Sequence, residues 1–290
     1  MVEEATRKAK VLIEALPFFK RFHHQFAVVK LGGEAIERPE VLDALLTDLV
    51  FLEQVGLRPV LVHGGGPTIT RAMDEAGIEV KWHKGRRVTD RAAIEIVQRE
   101  VERLNAILVN RLFDLGGAAI GLVPSRQEVV HGEIRDPDLG LVGTPNGVDA
   151  ERLLRYASRG LIPVVPPLSL NDEGQVLNTN ADDVALAVAI GLSAAKLVFC
   201  SNVPGILRDP ADPSSRISSL TPESVRSLVG DGTIQGGMIP KVESCIAALE
   251  SGVNKIHIVH AGMPHALLLE IFTREGIGTQ LTLDSEGAVT

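Results

Sequence analysis

Two kinds of apolar pattern alternate along the chain. Residues 26–31, 58–63, 118–123, 162–166, 196–200 and 255–259 are short, nearly continuous apolar runs, the signature of buried strands. Between them lie longer segments with apolar residues at helical spacing: 39–55, 68–76, 91–115, 150–159, 181–190, 221–229 and 238–249. Strands alternating with helices predict an α/β protein built on a mostly parallel sheet. The stretch 125–148 is polar and rich in Gly and Pro, which fits hairpins or loops. An internal boundary is expected at 166–172, where Pro166, Pro167, Asn171 and Asp172 follow a strand.

Residues 3–22 read as a separate helix. Val11, Leu12, Ala15, Leu16 and Phe19 form its apolar stripe, and Arg7, Lys8 and Lys10 fall elsewhere. Pro17 predicts a kink or break near Leu16, because proline removes a backbone donor and clashes with the preceding turn. The apolar face, extended by Phe18 and Phe22, needs a partner: its own domain or another subunit.

Composition narrows the class without changing the pattern. Hydrophobic residues at 45% and charged residues at 23% suit a soluble globular chain of one large domain or two modest ones. A net charge of −8 argues against non-specific binding of nucleic acid. Met1 to Arg21 is too charged for a signal peptide, and no apolar run reaches the about 18 residues a membrane span needs. The expected location is therefore cytoplasmic, with no membrane partner. Cys200 and Cys245 lie in apolar runs and read as buried, reduced thiols, and no Cys–His cluster has zinc spacing, so no protein-held metal is expected.

Three glycine clusters bear on chemistry: Gly32-Gly33, Gly64-Gly65-Gly66 and Gly236-Gly237. Glycine lets backbone N–H groups approach and surround an anion, although it also makes plain turns. Lys30 sits inside an apolar strand just before the first cluster, where its charge costs desolvation energy unless it faces a partner. Lys241 follows the third cluster near a helix start, where a cation opposes the helix dipole. For either lysine the plain alternative is a snorkelling surface residue. In Asn178-Thr179-Asn180-Ala181-Asp182-Asp183, Asn180 or Asp182 suits a helix cap, while the set as a whole offers amides plus a carboxylate able to hold a lysine or a magnesium ion. Arg87 precedes a helix that Asp90 is placed to cap; it is either a carboxylate clamp or a solvated loop arginine. No G-x-S-x-G elbow accompanies His63-Gly64-Gly65-Gly66, and neither a Walker loop nor a G-x-G-x-x-G motif is present.

Taken together, Val29-Lys30-Leu31-Gly32-Gly33, His63-Gly64-Gly65-Gly66-Pro67, Arg87-Val88-Thr89-Asp90, Asn178-Thr179-Asn180-Ala181-Asp182, Val203-Pro204-Gly205-Ile206-Leu207 and Gly236-Gly237-Met238-Ile239-Pro240-Lys241-Val242 resemble the acetylglutamate kinases of the amino acid kinase family. The resemblance implies a three-layer αβα sandwich around a largely parallel sheet. It divides the chain into an N-terminal oligomerisation helix (1–25) and a kinase domain (26–290), with an acetylglutamate lobe (26–170) and an ATP lobe (171–290). The implied reaction moves the γ-phosphoryl of ATP, brought in with Mg2+, to the side-chain carboxylate of N-acetyl-L-glutamate, the second step of arginine synthesis. Lys30, Lys241 and Asp182 would be catalytic. Gly65, Gly66, Arg87 and Asn178 would hold the substrate, and Gly32, Gly33, Gly64 and Gly65 the phosphate. Asn202, Gly205, Ile206, Leu207, Gly237 and Met238 would hold the nucleotide.

Family members with an added N-terminal helix are arginine-inhibited trimers of dimers. By that likeness His265, Glu270 and Gly276 would bind arginine, and the chain would form a dimer or hexamer. The chain departs from the family at Asn202, where an Asp is usual, and at Ala261-Gly262-Met263, where Asp-Gly-Arg is usual; Val123–Gln127 is also divergent. Two other readings stand beside this one: a kinase for an aminoadipate-type substrate of lysine synthesis, and an inactive arginine-binding relative.

Overall fold

The computed structural model describes residues 2–83, 85–273 and 276–283; the side chains of residues 2–5, 8, 11 and 12 lie outside that description. Helix α1 (Val2–Phe22) leads into β1 (Phe26–Leu31), a short α2 (Gly33–Ile36), α3 (Pro39–Gln54), β2 (Arg58–His63) and α4 (Gly66–Glu75). The hairpin of β3 (Trp82–His83) and β4 (Arg86–Arg87) precedes the long α5 (Arg91–Asp114) and β5 (Ala119–Gly121). Then come β6 (Val130–Glu133), β7 (Val142–Val148), α6 (Ala150–Ala157), β8 (Ile162–Val165), β9 (Leu168–Leu170), β10 (Val176–Thr179) and α7 (Ala181–Gly191). The remainder runs β11 (Lys196–Ser201), β12 (Ser219–Leu220), α8 (Pro222–Gly230), α9 (Met238–Glu250), β13 (Lys255–His260), α10 (Ala266–Phe272) and β14 (Thr279–Thr282).

The main sheet has eight strands in the order β12-β14-β13-β11-β1-β2-β8-β5. Its pairings are parallel except β13 with β14. The expected mostly parallel sheet is therefore present. The polar stretch holds β6 and β7, which close a small barrel with β9 and β10. Residues 166–172 run from β8 into that barrel through β9.

Alternation along β1 assigns each face of the sheet. Val29 and Leu31 pack with Leu45, Leu46 and Leu49 of α3 and Leu108 and Leu112 of α5. Val28 packs with Val184 and Val188 of α7 and Val242, Cys245 and Leu249 of α9. Burying each such aliphatic side chain contributes about 1.5–3 kcal/mol. Side chains at i and i+2 share a face, so Lys30 is turned toward the α7–α9 layer. Cys200 and Cys245 are free and buried, as their apolar context implies.

The N-terminal helix is not broken. Helix α1 runs through Pro17 to Phe22. Its C-terminal end packs on its own chain: Phe19 meets the Phe272 ring edge-on at 5.0 Å and lies 6.2 Å from Phe51, with Phe18 also against Phe272. That packing holds the last turns in place despite the missing donor. Farther back, Ile13 and Leu16 are exposed. Val11 and Leu12 of the expected stripe, with Lys8, lie outside the described residues. No helix among the described residues is long and apolar enough to cross a membrane.

Candidate active site

A cleft of about 510 Å³ opens at the carboxyl ends of β1, β2, β11 and β13, lined there by Lys30, Gly64, Ser201 and His260. Ligands in open α/β sheets commonly bind at this edge, where loops leave the strands. Among the described residues, Lys30, Arg38, Arg86, Arg87 and Lys241 line it against two acids, Glu34 and Asp182. The cleft is thus locally basic in a chain of net charge −8, the field an anionic ligand requires.

Asp182 sits at its centre. Lys30 Nζ lies 2.7 Å from Asp182 Oδ1, and Lys241 Nζ donates to Asp182 Oδ2 at 2.9 Å. The sequence accounts for each position. Residue 30 faces the α7–α9 layer by strand alternation. Asn180 caps α7, its Oδ1 accepting from Asp182 N at 2.7 Å, which places Asp182 in the first helical turn. Lys241 occupies the first turn of α9, with its ammonium 4.8 Å from the Phe199 ring centre. Burial opposes ionisation of Asp182, but the two ammonium groups outweigh it and hold the carboxyl below its ordinary value. Asp182 is therefore ionised near neutral pH. A new anion entering the cleft meets two cations already oriented by one carboxylate.

The first two glycine loops lie against each other. A Cβ on Gly33 would come 2.6 Å from Pro67 Cδ, and one on Gly64 would come 3.2 Å from Gly33 N. Only glycine permits this approach. The four N–H groups expected to face phosphate divide into two pairs. Gly32 N donates to Cys200 O at 3.3 Å and Gly64 N to Leu31 O at 2.9 Å, so the strands use these two. Among the described residues the N–H groups of Gly33, Gly65 and Gly66 donate to no protein acceptor, and Gly33 and Gly66 open α2 and α4.

Arg87 is buried and lines the cleft. It donates to Thr70 Oγ1 at 2.7 Å and Gly66 O at 3.3 Å, its guanidinium lies 4.8 Å from the Trp82 ring centre, and among the described residues its hydrogen-bond partners are all neutral. Burial lowers its pKa, and Asp74 only partly offsets this. A buried guanidinium without a carboxylate within bonding distance is a strong point for an incoming one. Asn178 donates to Thr89 Oγ1 at 3.0 Å and also lines the cleft.

The sequence reading missed Trp82, Arg86 and Asp183. Arg86 pairs with Asp183 at 2.8 Å, tying the β3–β4 hairpin to the start of α7. A lone tryptophan in a polar loop five residues before Arg87 was the available signal.

Of the expected nucleotide residues, Asn202 lines the cleft and the others lie outside its lining. Ile206 is a core residue whose N–H donates to Thr279 Oγ1 at 2.8 Å. Gly205 has φ +132°, and Gly237 caps α9 at the surface. Of the expected arginine residues, Glu270 and Gly276 come together: a Cβ on Gly276 would lie 2.8 Å from Glu270 Oε2. Glu270 is buried, paired with His257 Nδ1 at 2.6 Å, and accepts from Ile277 N and Gly278 N at 2.7 and 2.8 Å. These use three of its about four lone-pair sites. His265 stands at the start of α10. Its φ is 56°, and its Nδ1 pairs with Asp48 Oδ1 of α3 at 2.7 Å.

Among the described residues no three His, Cys, Asp or Glu side chains gather as a metal cage. The central carboxylate is already shared by two ammonium groups, so the residues present do not form a resident metal site.

The sequence pattern of the amino acid kinase family matches residues 25–260. An acetylglutamate kinase from Methanosphaera stadtmanae is 41% identical over 287 residues, covering 94% of this chain and 96% of that protein. One from Synechococcus elongatus is 42% identical over 279 residues, covering 96% and 93%. Among solved structures, N-acetylglutamate synthase from Neisseria gonorrhoeae, complexed with coenzyme A and N-acetyl-glutamate, superposes with a TM-score of 0.84 at 26% identity. The match covers 96% of this chain but 64% of the synthase.

Proposed function

We infer the function from one premise: the chain belongs to the amino acid kinase family. Within it, the chain is an acetylglutamate kinase by its relatives: it catalyses ATP-dependent phosphorylation of N-acetyl-L-glutamate, a step of arginine biosynthesis. The side-chain carboxylate of the substrate attacks the γ-phosphorus. A carboxyl–phosphate bond forms, the bond to the β-phosphate oxygen breaks, and ADP leaves. The nucleophile is already ionised near neutral pH, so no strong base is needed. The obstacle is charge, because an anion must approach a polyanion. Catalysis then consists of positioning and electrostatic stabilisation.

The observation that carries this reading is Asp182 held between Lys30 and Lys241 at 2.7 and 2.9 Å in a basic cleft. Lys30 and Lys241 neutralise the transferring phosphoryl group, and Asp182 keeps both in place. The N–H groups of Gly33 and Gly65 add donors without formal charge. Arg87 grips the α-carboxylate of acetylglutamate, with Asn178 and Gly66 beside the substrate. Bound with ATP, magnesium would offset part of the phosphate charge. Residues 26–170 carry the acetylglutamate side of the cleft and 171–290 the nucleotide side, with Asn202 at its edge.

The finer reading adds regulation. Arginine binds near Glu270 and Gly276 and inhibits, and α1 joins dimers into a hexamer in the cytoplasm. The exposed Ile13 and Leu16 on α1 support the assembly.

A coupled assay of ADP release tests the whole reading. It offers N-acetylglutamate, glutamate and aminoadipate, each with and without millimolar arginine. Turnover of N-acetylglutamate well above the other two is expected, and arginine lowers it. Preference for aminoadipate contradicts the substrate, and indifference to arginine contradicts the regulation alone.

A further inference from the structure

His63, the last residue of β2, is completely buried and belongs to no part of the charge arrangement above. Its two ring nitrogens have different partners. Nδ1 lies 2.9 Å from Gly64 O, and Nε2 lies 3.1 Å from Asn105 Nδ2. Asn105, also buried, stands on α5 and donates from the same nitrogen to Val164 O at 3.0 Å.

These contacts decide the tautomer. Val164 O is a backbone acceptor, so the atom of Asn105 facing it must be the amide nitrogen; a flipped amide would set two oxygens against each other. That nitrogen then gives its second hydrogen to His63 Nε2, which must be unprotonated. The proton of neutral His63 is left on Nδ1, which donates to Gly64 O. Glycine at position 121 makes room for this placement, because a Cβ there would overlap Asn105 Oδ1.

The consequence lies one peptide farther on. The Gly64 carbonyl and the Gly65 N–H belong to one planar trans unit and point in opposite directions. Drawing the carbonyl back toward the buried imidazole turns the N–H away from the core, toward the cleft that Gly64, Gly65 and Gly66 line. That N–H has no protein acceptor among the described residues.

We propose that His63 is a positioning residue for phosphoryl transfer: its Nδ1–H, with the tautomer set by Asn105, fixes the Gly64–Gly65 peptide so that the Gly65 N–H faces the migrating phosphoryl group. The proposal deepens the kinase reading and rests on it for its kinetic part, while its tautomer is measurable without turnover. A donor supplied through the peptide plane needs no reorganisation at the moment of transfer, and removing one preorganised donor lowers kcat by roughly a hundredfold to a thousandfold. A donor that is only misdirected costs less, about tenfold or more.

Nitrogen NMR of ring-labelled, full-length protein reads the tautomer. The Nδ1–H form of His63 is expected, giving way to a mixture in Asn105→Leu; an Nε2–H form in the parent overturns the proposal. Kinetics on the folded enzyme test the positioning. In His63→Leu, kcat falls about tenfold or more with KM for ATP and acetylglutamate within a few-fold. In His63→Asn, whose amide N–H sits near the Nδ1 position, much of kcat returns although ring volume is lost in both. Equal kcat in His63→Leu and the parent, or equal loss in the Leu and Asn variants, contradicts the role. Should His63→Leu fail to fold, Asn105→Leu decides: a severalfold fall in kcat supports the proposal and unchanged kcat overturns it. Absence of acetylglutamate turnover in the parent itself would count against the kinase reading, with the tautomer result standing apart.

Discussion

At the scale of single residues, the cleft separates groups that are charged to act from groups kept neutral to hold shape. Asp182 belongs to the first kind. In Asp182→Asn two ammonium groups within 3 Å of one side chain lose their common counter-ion, and their mutual repulsion displaces both. Steady-state kinetics should show kcat lowered at least tenfold, with circular dichroism unchanged. Arg87→Lys keeps the charge but loses the planar fork. KM for acetylglutamate is expected to rise roughly tenfold or more while KM for ATP stays put, since a charge-assisted hydrogen bond contributes about 1.5–3 kcal/mol. His63 belongs to the second kind. Burial pushes its pKa from 6.5 down to about 4, against the opposing hydrogen bond to Gly64. The unfolded chain therefore binds a proton below about 6.5 that the native state refuses until about 4. Stability is full above that window and falls as pH drops through it, by on the order of 3 kcal/mol in total. Urea unfolding at pH 7 and pH 5 checks this, and the pH slope should flatten in His63→Asn.

At the scale of elements, the long periodic segments were legible and the short ones were not. Strand β2 and helix α5 announced themselves by apolar runs and helical spacing that tertiary context did not override. Strands β9 and β10, three and four residues long, carry too few positions for a period to show. Their pairing into a closed barrel depends on partners far along the chain. Of the kink or break expected in α1, the break is absent: the helix is continuous through Pro17, and Phe18 and Phe19 after it pack on Phe272, a contact that no local pattern reveals. The site was half legible. A lysine inside an apolar strand demands a partner, but nothing local names residue 182, which is 152 positions away. The resemblance named the set and β1 alternation explains the convergence. The His63–Asn105 relay stayed hidden because a histidine at a strand end looks the same whether it binds a ligand or aims a peptide. Gly33→Ala is the element-scale prediction. Its Cβ would press on Pro67 Cδ at 2.6 Å and force the two glycine loops apart. At least a tenfold loss of kcat/KM is expected with only a modest fall in Tm, measured by kinetics and thermal melting.

At the scale of the whole molecule, one mostly parallel sheet carries the proposed catalytic cleft at its strand ends, and α1 lies against α10 away from that cleft. The phenylalanine contacts secure the end of α1, while Ile13 and Leu16 stay exposed. An apolar face of that kind is expected to be covered by another copy of the chain. Light scattering should give a hexamer for the full chain and a dimer after removal of residues 1–22, with acetylglutamate kinase activity retained and arginine inhibition weakened. A dimer before truncation contradicts the proposed role of the helix and leaves the catalytic account intact. That account concerns how two cations and one carboxylate, drawn from β1, α7 and α9, lower the cost of bringing two anions together. Its most direct test is the initial rate of ADP formation with N-acetylglutamate in Lys30→Ala and Lys241→Ala against the parent enzyme. Each variant should stay folded and lose about a hundredfold or more in kcat; a folded variant of either kind turning over near the parental rate contradicts it.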